Sequence, residues 1–237
     1  QKALSEALRI VELAPSEGLG YRLAGDASSL MAQPDSAIQW YKKGLSKAPQ
    51  NIRLALGYYK LLQQNQNMQK GVGFLEQWVR EHKPKNISPL QALAAGYGEL
   101  GKYKQAIEIN EKLIALQPDN PYLLNNQALL YLEVQNPKAL SLAERAYEIV
   151  PNSFAILDTL GWILVQQGDH GRGLSMLRNA VARSFNEPEV QYHYAVALSL
   201  SGHNKKATNV LRRVLLTGEN FNGIEDARAL LKKLKTS

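Results

Sequence analysis

The sequence contains no cysteine, which excludes disulfide bridges and thiolate metal sites anywhere in its 237 residues. It also has no uninterrupted apolar run near the roughly 18 residues that a membrane-spanning helix needs. No segment is of low complexity, and none is charged enough to indicate disorder. The sequence therefore predicts a folded chain without a transmembrane segment.

The motifs of familiar catalytic sites are missing as well. There is no phosphate-binding Walker loop, no HExxH pair and no GxSxG elbow. The four histidines, His82, His170, His193 and His203, do not have the spacing of metal ligands, so surface or structural roles are favoured over metal binding. We expect no enzyme activity, no cofactor and no metal site in this chain.

What the sequence does contain is a recurring helical pattern, which is clearest in residues 154–187. Two apolar stripes at helical spacing are separated there by a turn at Gly168-Asp169. Small residues, Gly161, Gly173 and Ala180, lie where two antiparallel helices would approach closely. The segment predicts a pair of helices, neither of which can bury its apolar stripe alone.

The same pattern returns along the chain with a nearly constant period. A small residue recurs in the second helix of five pairs, at Ala37, Ala106, Ala139, Gly173 and Ala207. A proline follows the second helix at Pro49, Pro84, Pro118 and Pro151. Helix pairs with this pattern and a period of about 34 residues resemble the tetratricopeptide repeat, TPR. The resemblance covers essentially the whole chain. It implies an all-α fold, a right-handed α-solenoid of helix-turn-helix repeats with a C-terminal capping helix.

The register of this pattern predicts one continuous array. The array begins at 1–17 with the second helix of a repeat whose first helix is absent from the sequence. A capping helix at 221–237 ends it. Between them lie six repeats, at 18–51, 52–86, 87–120, 121–153, 154–187 and 188–220. The repeat at 52–86 is irregular, because its turn at 63–68 lacks glycine and Gly71 and Gly73 each weaken its second helix by roughly 1 kcal/mol. Since residue 1 falls in mid-repeat, we expect a longer parent protein.

Stacked helix pairs form a concave groove lined by first helices. The resemblance implies that fixed positions of each repeat point into this groove and bind a peptide or helix of a partner protein. These positions are Gln91, Ala95, Glu99, Asn125, Asn126, Leu129, Glu133, Asp158, Thr159, Trp162, Gln166, Tyr192, His193 and Val196. Trp162 could instead pack on the neighbouring repeat, and Asn125-Asn126 could merely be solvated. A TPR clamp for a C-terminal carboxylate is poorly supported, because Asp26, Gln91 and Asn125 stand where it needs Lys and Asn.

The formal charge of +7 raises the question of an anionic partner. The excess lies in two separated segments, since 52–86 and 188–237 each carry about +4 whereas 87–187 sum to about −2. Nucleic-acid binding would need one contiguous basic stripe with stacking aromatic residues, so we consider it a poor fit. Binding of an anionic polysaccharide through the basic surfaces remains an alternative to groove binding.

Three sequence segments in the second half of the chain point to a particular group of TPR proteins. The second half of the chain is similar to the C-terminal part of a bacterial TPR lipoprotein associated with PEP-CTERM/exosortase and exopolysaccharide gene sets. The similar segments are 123–147, 157–165 and 192–198, followed by the terminal ARALL at 227–231. This resemblance covers roughly 120–237. It implies a non-catalytic scaffold in the bacterial envelope, periplasmic or anchored by a lipid on an upstream N-terminus. The alternatives are a cytoplasmic location and a regulatory TPR arm of a larger enzyme.

Overall fold

A computed structural model describes residues 1–65, 67–184 and 187–236, and every regular element within them is helical. The all-α prediction is therefore confirmed. Fourteen helices occur in this part of the chain: α1 Lys2–Leu13, α2 Gly18–Leu30, α3 Pro34–Lys47, α4 Ile52–Gln64, α5 Met68–His82, α6 Ser88–Glu99, α7 Tyr103–Leu116, α8 Pro121–Glu133, α9 Lys138–Ile149, α10 Phe154–Gln166, α11 His170–Val181, α12 Pro188–Leu200, α13 Asn204–Leu216 and α14 Ile224–Thr236.

The ends of the helices follow from the residues that cannot continue them. Helices α3, α5, α7 and α9 each end two residues before one of the prolines Pro49, Pro84, Pro118 and Pro151. In five turns between paired helices the chain passes through a residue with positive φ, which is glycine in three of them and Ala32 (φ 55°) or Gln135 (φ 54°) in the other two. The irregular turn that the sequence predicts at 63–68 is shorter in the structure, because α4 continues to Gln64. Gln66, within this turn, lies outside the described residues.

The chain falls into two compact parts, residues 1–113 and 114–237, and the boundary lies within α7. In the first part, a core rich in tyrosine joins α2, α3 and α4 through Tyr21, Tyr41 and Tyr58. Trp78 is 4% exposed, and its indole nitrogen donates to the Pro49 carbonyl at 2.8 Å. Tyr41 and Trp78 are thus packing residues on second helices.

In the second part, α10 and α11 approach each other closely. A Cβ atom added to Gly161 would lie 2.7 Å from the Leu177 side chain, and one added to Gly173 would lie 2.6 Å from the Val165 side chain. Ala180 is fully buried on the same helix. The small residues of this pair therefore allow the close approach that the sequence predicted.

The last helix covers an apolar face of α12 and α13. Ala227 is fully buried, and Leu230, Leu231 and Leu234 pack against a cluster that includes Tyr192 and Leu211. This helix begins at Ile224, three residues later than the sequence suggested, because Gly223 adopts φ 90° in the turn before it. Residues 221–223 therefore form part of the connection between α13 and α14.

Candidate functional site

The candidate site lies in the second part of the chain, where α8, α9 and α10 meet. A pocket of about 460 Å³ opens there between the end of α8, the turn into α9 and one face of α10. Its lining is mostly polar side chains around one tryptophan: Leu132, Glu133, Gln135, Asn136, Pro137, Ala139, Trp162, Gln166 and Gln167. The arrangement offers an aromatic surface surrounded by amide groups that can donate and accept hydrogen bonds.

Trp162 takes part both in the pocket and in the packing between α10 and α12. Its indole stacks on the imidazole of His193 with 4.2 Å between ring centroids and an angle of 16° between the planes. The side chain is half-buried and also lines the pocket. Trp162 thus packs against the neighbouring first helix and also keeps surface in the pocket.

A buried polar pair holds His193 in position behind Trp162. Nδ1 of His193 lies 3.0 Å from both carboxylate oxygens of Asp158, and the side chains are 10% and 14% exposed. Burial raises the pKa of the nearby Glu189 carboxyl, and the Asp158 carboxylate adds to this rise, whereas His193 opposes it. The pair connects α10 to α12 and fixes the ring on which Trp162 rests.

Tyr192 extends the aromatic contacts away from the pocket. Its ring lies 6.2 Å from that of Trp162 and 6.1 Å from that of Phe221, which precedes α14. Burial raises the pKa of the Tyr192 phenol, and the neighbouring Asp226 carboxylate raises it further. Tyr192 is 9% exposed, so it mainly joins α12 to the C-terminal connection.

The structure places the predicted groove residues in different surroundings. Glu133, Trp162 and Gln166 come together in the pocket, whereas Asn126, Leu129 and Val196 keep accessible surface outside it. Asn125 and Thr159 are 6% and 3% exposed, so they have little surface to offer a partner. In the first part of the chain, Gln91 is half-buried on α6, and Ala95 and Glu99 are exposed there.

Six of the nine residues that line the pocket lie in positions that the register did not select. Gln135, Asn136 and Pro137 come from the turn between α8 and α9, and Ala139 comes from the second helix. The register considered first helices alone, so it missed them. The Asn136-Pro137 pair, which replaces the usual glycine turn, was the available signal in the sequence.

Metal and membrane sites find no support in the described parts of the chain. No group of three or more His, Asp or Glu side chains there is placed to hold a metal ion. Likewise, none of the helices of residues 1–65, 67–184 and 187–236 is both long and apolar enough to cross a bilayer.

Comparison with known proteins supports the repeat assignment. The family described as Tetratricopeptide repeat matches residues 17–128. The TPR repeat-containing protein PA4667 of Pseudomonas aeruginosa is 27% identical over 165 residues, which are 67% of this chain and 27% of that protein. This chain thus spans only about a quarter of its curated relative.

Solved structures give the same fold. A chain of the APC/C hetero-tetramer Cut9-Hcn1 superposes on this chain with a TM-score of 0.77 at 17% identity. The match covers 96% of this chain and 45% of that chain. A tetratricopeptide repeat protein from Parabacteroides merdae matches 100% of this chain and 88% of its own with a TM-score of 0.71, also at 17% identity. A thermophilic TPR protein of Thermus thermophilus covers 78% of this chain and 97% of its own with a TM-score of 0.63 at 18% identity. The chain has the all-α TPR fold, which typically serves as a non-catalytic scaffold.

Proposed function

We propose that this TPR-fold chain is a non-catalytic scaffold that holds a segment of a partner protein in the pocket between α8, α9 and α10. The observation that carries the proposal is the position of Trp162, half-buried in the wall of a pocket of about 460 Å³. Large aromatic side chains in such pockets contribute much of the energy of many protein interfaces. The volume suits one or two side chains of an extended segment.

The polar lining supports a peptide rather than a compact apolar ligand. Gln166, Gln167 and Asn136 present amide groups next to the indole. An extended peptide leaves main-chain N–H and C=O groups without partners, and amide side chains can satisfy both kinds of group. Trp162 would then contact a side chain of the peptide while the amides bind its backbone.

The cellular setting is a further part of this proposal. Residues 120–237 resemble the TPR lipoprotein of exopolysaccharide-associated systems, and the curated relative is also bacterial. On that resemblance we propose that the scaffold acts in an envelope assembly or a protein-sorting system of a bacterium. Fractionation of cells that express the full-length gene from its own promoter tests this setting separately from the pocket.

Site-specific photo-crosslinking in the native cells tests the pocket. A photoreactive phenylalanine analogue replaces Gln166, which is exposed and lines the pocket, and in a matched control it replaces Glu148, which is exposed on α9 outside the pocket. We expect a discrete crosslinked partner from position 166 and not from position 148. The added substitution Trp162→Ala should abolish that crosslink.

Two results would contradict pocket binding. One is an equal yield of the same partner from positions 166 and 148. The other is a crosslink from position 166 that survives Trp162→Ala while circular dichroism shows an unchanged helical fold.

The basic surface of α13 and α14 favours a second candidate, binding of an anionic polysaccharide. The two helices pack against each other, and Lys205, Lys206, Arg212 and Lys235 are exposed on them. Such binding would weaken steeply with salt, because exposed charges are screened beyond about 10 Å at 0.1 M ionic strength. Chromatography on an anionic polysaccharide resin tests this function. Salt and the replacement of Arg212 should each abolish retention of the chain, whereas Trp162→Ala should leave retention unchanged.

A further inference from the structure

The pocket between α8, α9 and α10 has a flat aromatic surface that is held in a fixed orientation. The ring of His193 on α12 stacks on the indole of Trp162 with 4.2 Å between centroids and 16° between the planes. Trp162 lines the pocket, whereas none of the described lining residues belongs to α12. The pocket thus lies on the side of the indole away from His193. The contact of His193 with Asp158 keeps the imidazole, and with it the indole, in place.

The turn between α8 and α9 presents a hydrogen-bond donor to the pocket. Oδ1 of Asn136 accepts from the Lys138 N–H at 3.0 Å, and the carbonyl oxygen of Asn136 accepts from the Ala139 N–H at 3.1 Å. The backbone N–H of Asn136 donates to the Tyr131 carbonyl at 2.8 Å, and the next residue, Pro137, has no N–H. Both oxygens and the backbone N–H of Asn136 are therefore engaged, and its side-chain NH2 group is what it offers to a ligand.

The described lining of the pocket favours an uncharged ligand. Glu133 is the one ionisable residue among the described residues that line it, and Glu133 already takes part in an interaction within the protein. Lys138 is exposed, and it is not among the lining residues. Gln166 and Gln167 add two neutral amide groups at the C-terminal end of α10. Because a charge that loses water without gaining a partner is costly to bury, a neutral segment fits this lining better than a cationic or anionic one.

We propose that the pocket binds a proline of a partner segment in the polyproline II conformation. The proline ring lies on the indole of Trp162, and a neighbouring carbonyl oxygen accepts from the NH2 group of Asn136. This inference rests on the proposed function, because it names the chemistry of the segment held there. Proline brings a carbonyl and no N–H, so it leaves no backbone donor without a partner at a turn whose oxygens are engaged. A polyproline II segment has no internal hydrogen bonds and is extended before it binds, so its carbonyls are available and it loses little conformational entropy.

The test begins with a selection of phage-displayed random ten-residue peptides on the whole chain, without bias toward proline. Enriched peptides are then synthesised with a fluorescent label, and their affinity is measured by fluorescence anisotropy. We expect a proline at a fixed position of the enriched sequences. Its replacement by alanine restores the N–H and removes the ring, and it should lower the affinity roughly tenfold. The affinity of the original peptides should change little with salt, because no free charge takes part in the contact.

Two substitutions by aspartate test the donor with a matched control. Asn136→Asp keeps the oxygen that accepts from the Lys138 N–H and removes the NH2 group, so it should weaken binding of the proline peptides roughly tenfold. Asn120→Asp makes the same change at the start of α8, outside the pocket, where Oδ1 of Asn120 accepts from the N–H groups of Tyr122 and Leu123. This control should leave the affinity unchanged. Aspartate suits a helix N-terminus, so both variants should fold, and circular dichroism verifies the fold of each variant.

The outcomes separate this inference from the proposed function. Peptides that lose binding in Trp162→Ala but share no proline, or that tolerate its replacement by alanine, overturn the proline site and leave the peptide scaffold in place. Equal effects of Asn136→Asp and Asn120→Asp, or binding that is lost in salt, also overturn it. A dimer of the chain that Trp162→Ala dissociates in size-exclusion chromatography would show that a second copy occupies the pocket instead. Failure to obtain any peptide sensitive to Trp162→Ala overturns both proposals.

Discussion

Replacing Gly173 by alanine should destabilise the α10–α11 pair, although the same change stabilises most helices. The new Cβ would lie 2.6 Å from Val165 Cγ2 and 2.9 Å from the Gly161 carbonyl oxygen. Contacts under 3.0 Å are far inside van der Waals range, and the second involves backbone that cannot rotate away. The two helices would have to separate, and α10 carries Trp162 one residue after Gly161.

The magnitude follows from two opposing effects. Alanine is better than glycine within a helix by about 0.8–1.0 kcal/mol. Overpacking of a close contact costs about 1–3 kcal/mol. Because the contact involves backbone on the facing helix, we expect the steric cost to be larger, with a net loss of about 1–2 kcal/mol in the free energy of unfolding.

Gly171→Ala provides a matched control on the same helix. A Cβ atom at Gly171 meets nothing within 4 Å, so this substitution should be neutral or stabilise the protein by up to about 1 kcal/mol. Thermal unfolding followed by circular dichroism compares the two variants, since each kcal/mol shifts Tm by about 2–4 °C in a chain of this size. Hydrogen exchange would locate the faster exchange of Gly173→Ala in α10 and α11.

The reasoning fails if Gly173→Ala is as stable as Gly171→Ala or more stable than the unmodified chain. That result would mean that α10 and α11 lie farther apart than the structure shows. The wall of the pocket that Trp162 provides would then also need to be reconsidered.

Three further predictions concern the same part of the chain and the tyrosine core. Asp158→Ala should lower the free energy of unfolding by about 1.5–3 kcal/mol, because it removes a hydrogen bond to a charged group. Asp158→Asn keeps a hydrogen-bond acceptor and should lower it less. Equal losses of the two variants in urea unfolding would contradict this. Burial raises the pKa of Tyr59 and Tyr97 from 10.0 to about 12, so the contribution of these two phenols to stability should be constant below pH 10. It should fall between about pH 10 and 12, where the unfolded phenols ionise and the folded ones do not. Urea unfolding across this range, with Tyr59→Phe giving a shallower decline, checks it, and an unchanged slope in that variant would refute it. Removing 221–237 should expose the apolar cluster around Leu211 and cause aggregation in light scattering, and a monodisperse truncated chain would show that α14 is not needed as a cover.

Much of the fold could be predicted because its signals are local. Proline cannot continue a helix, and four second helices end two residues before one. Glycine at Gly101, Gly168 and Gly202 takes positive φ in the turns where the pattern broke. The small residues Gly161 and Gly173 also identified a close helix pair, since a side chain there would leave no room.

The candidate site was predicted less completely, because its residues depend on neighbours distant in sequence. The repeat register placed Thr159 on the same inner face as Trp162, yet Thr159 is 3% exposed and Trp162 is half-buried. Helical period gives the direction of a side chain and not its depth, which depends on the packing of the adjacent helix. The contact of His193 with Asp158 joins residues 35 apart, about one repeat, so it could have been sought by comparing equivalent positions.

The sequence by itself thus determined the helix pairs, their turns and the small residues where helices touch, since each depends on the conformational limits of a few adjacent residues. The tertiary structure alone decided which side chains form a site. The pocket draws on the end of α8, the turn at Asn136-Pro137 and a face of α10, and these meet only once the pairs are stacked. Stacking also placed His193 against Trp162, because α12 packs against α10.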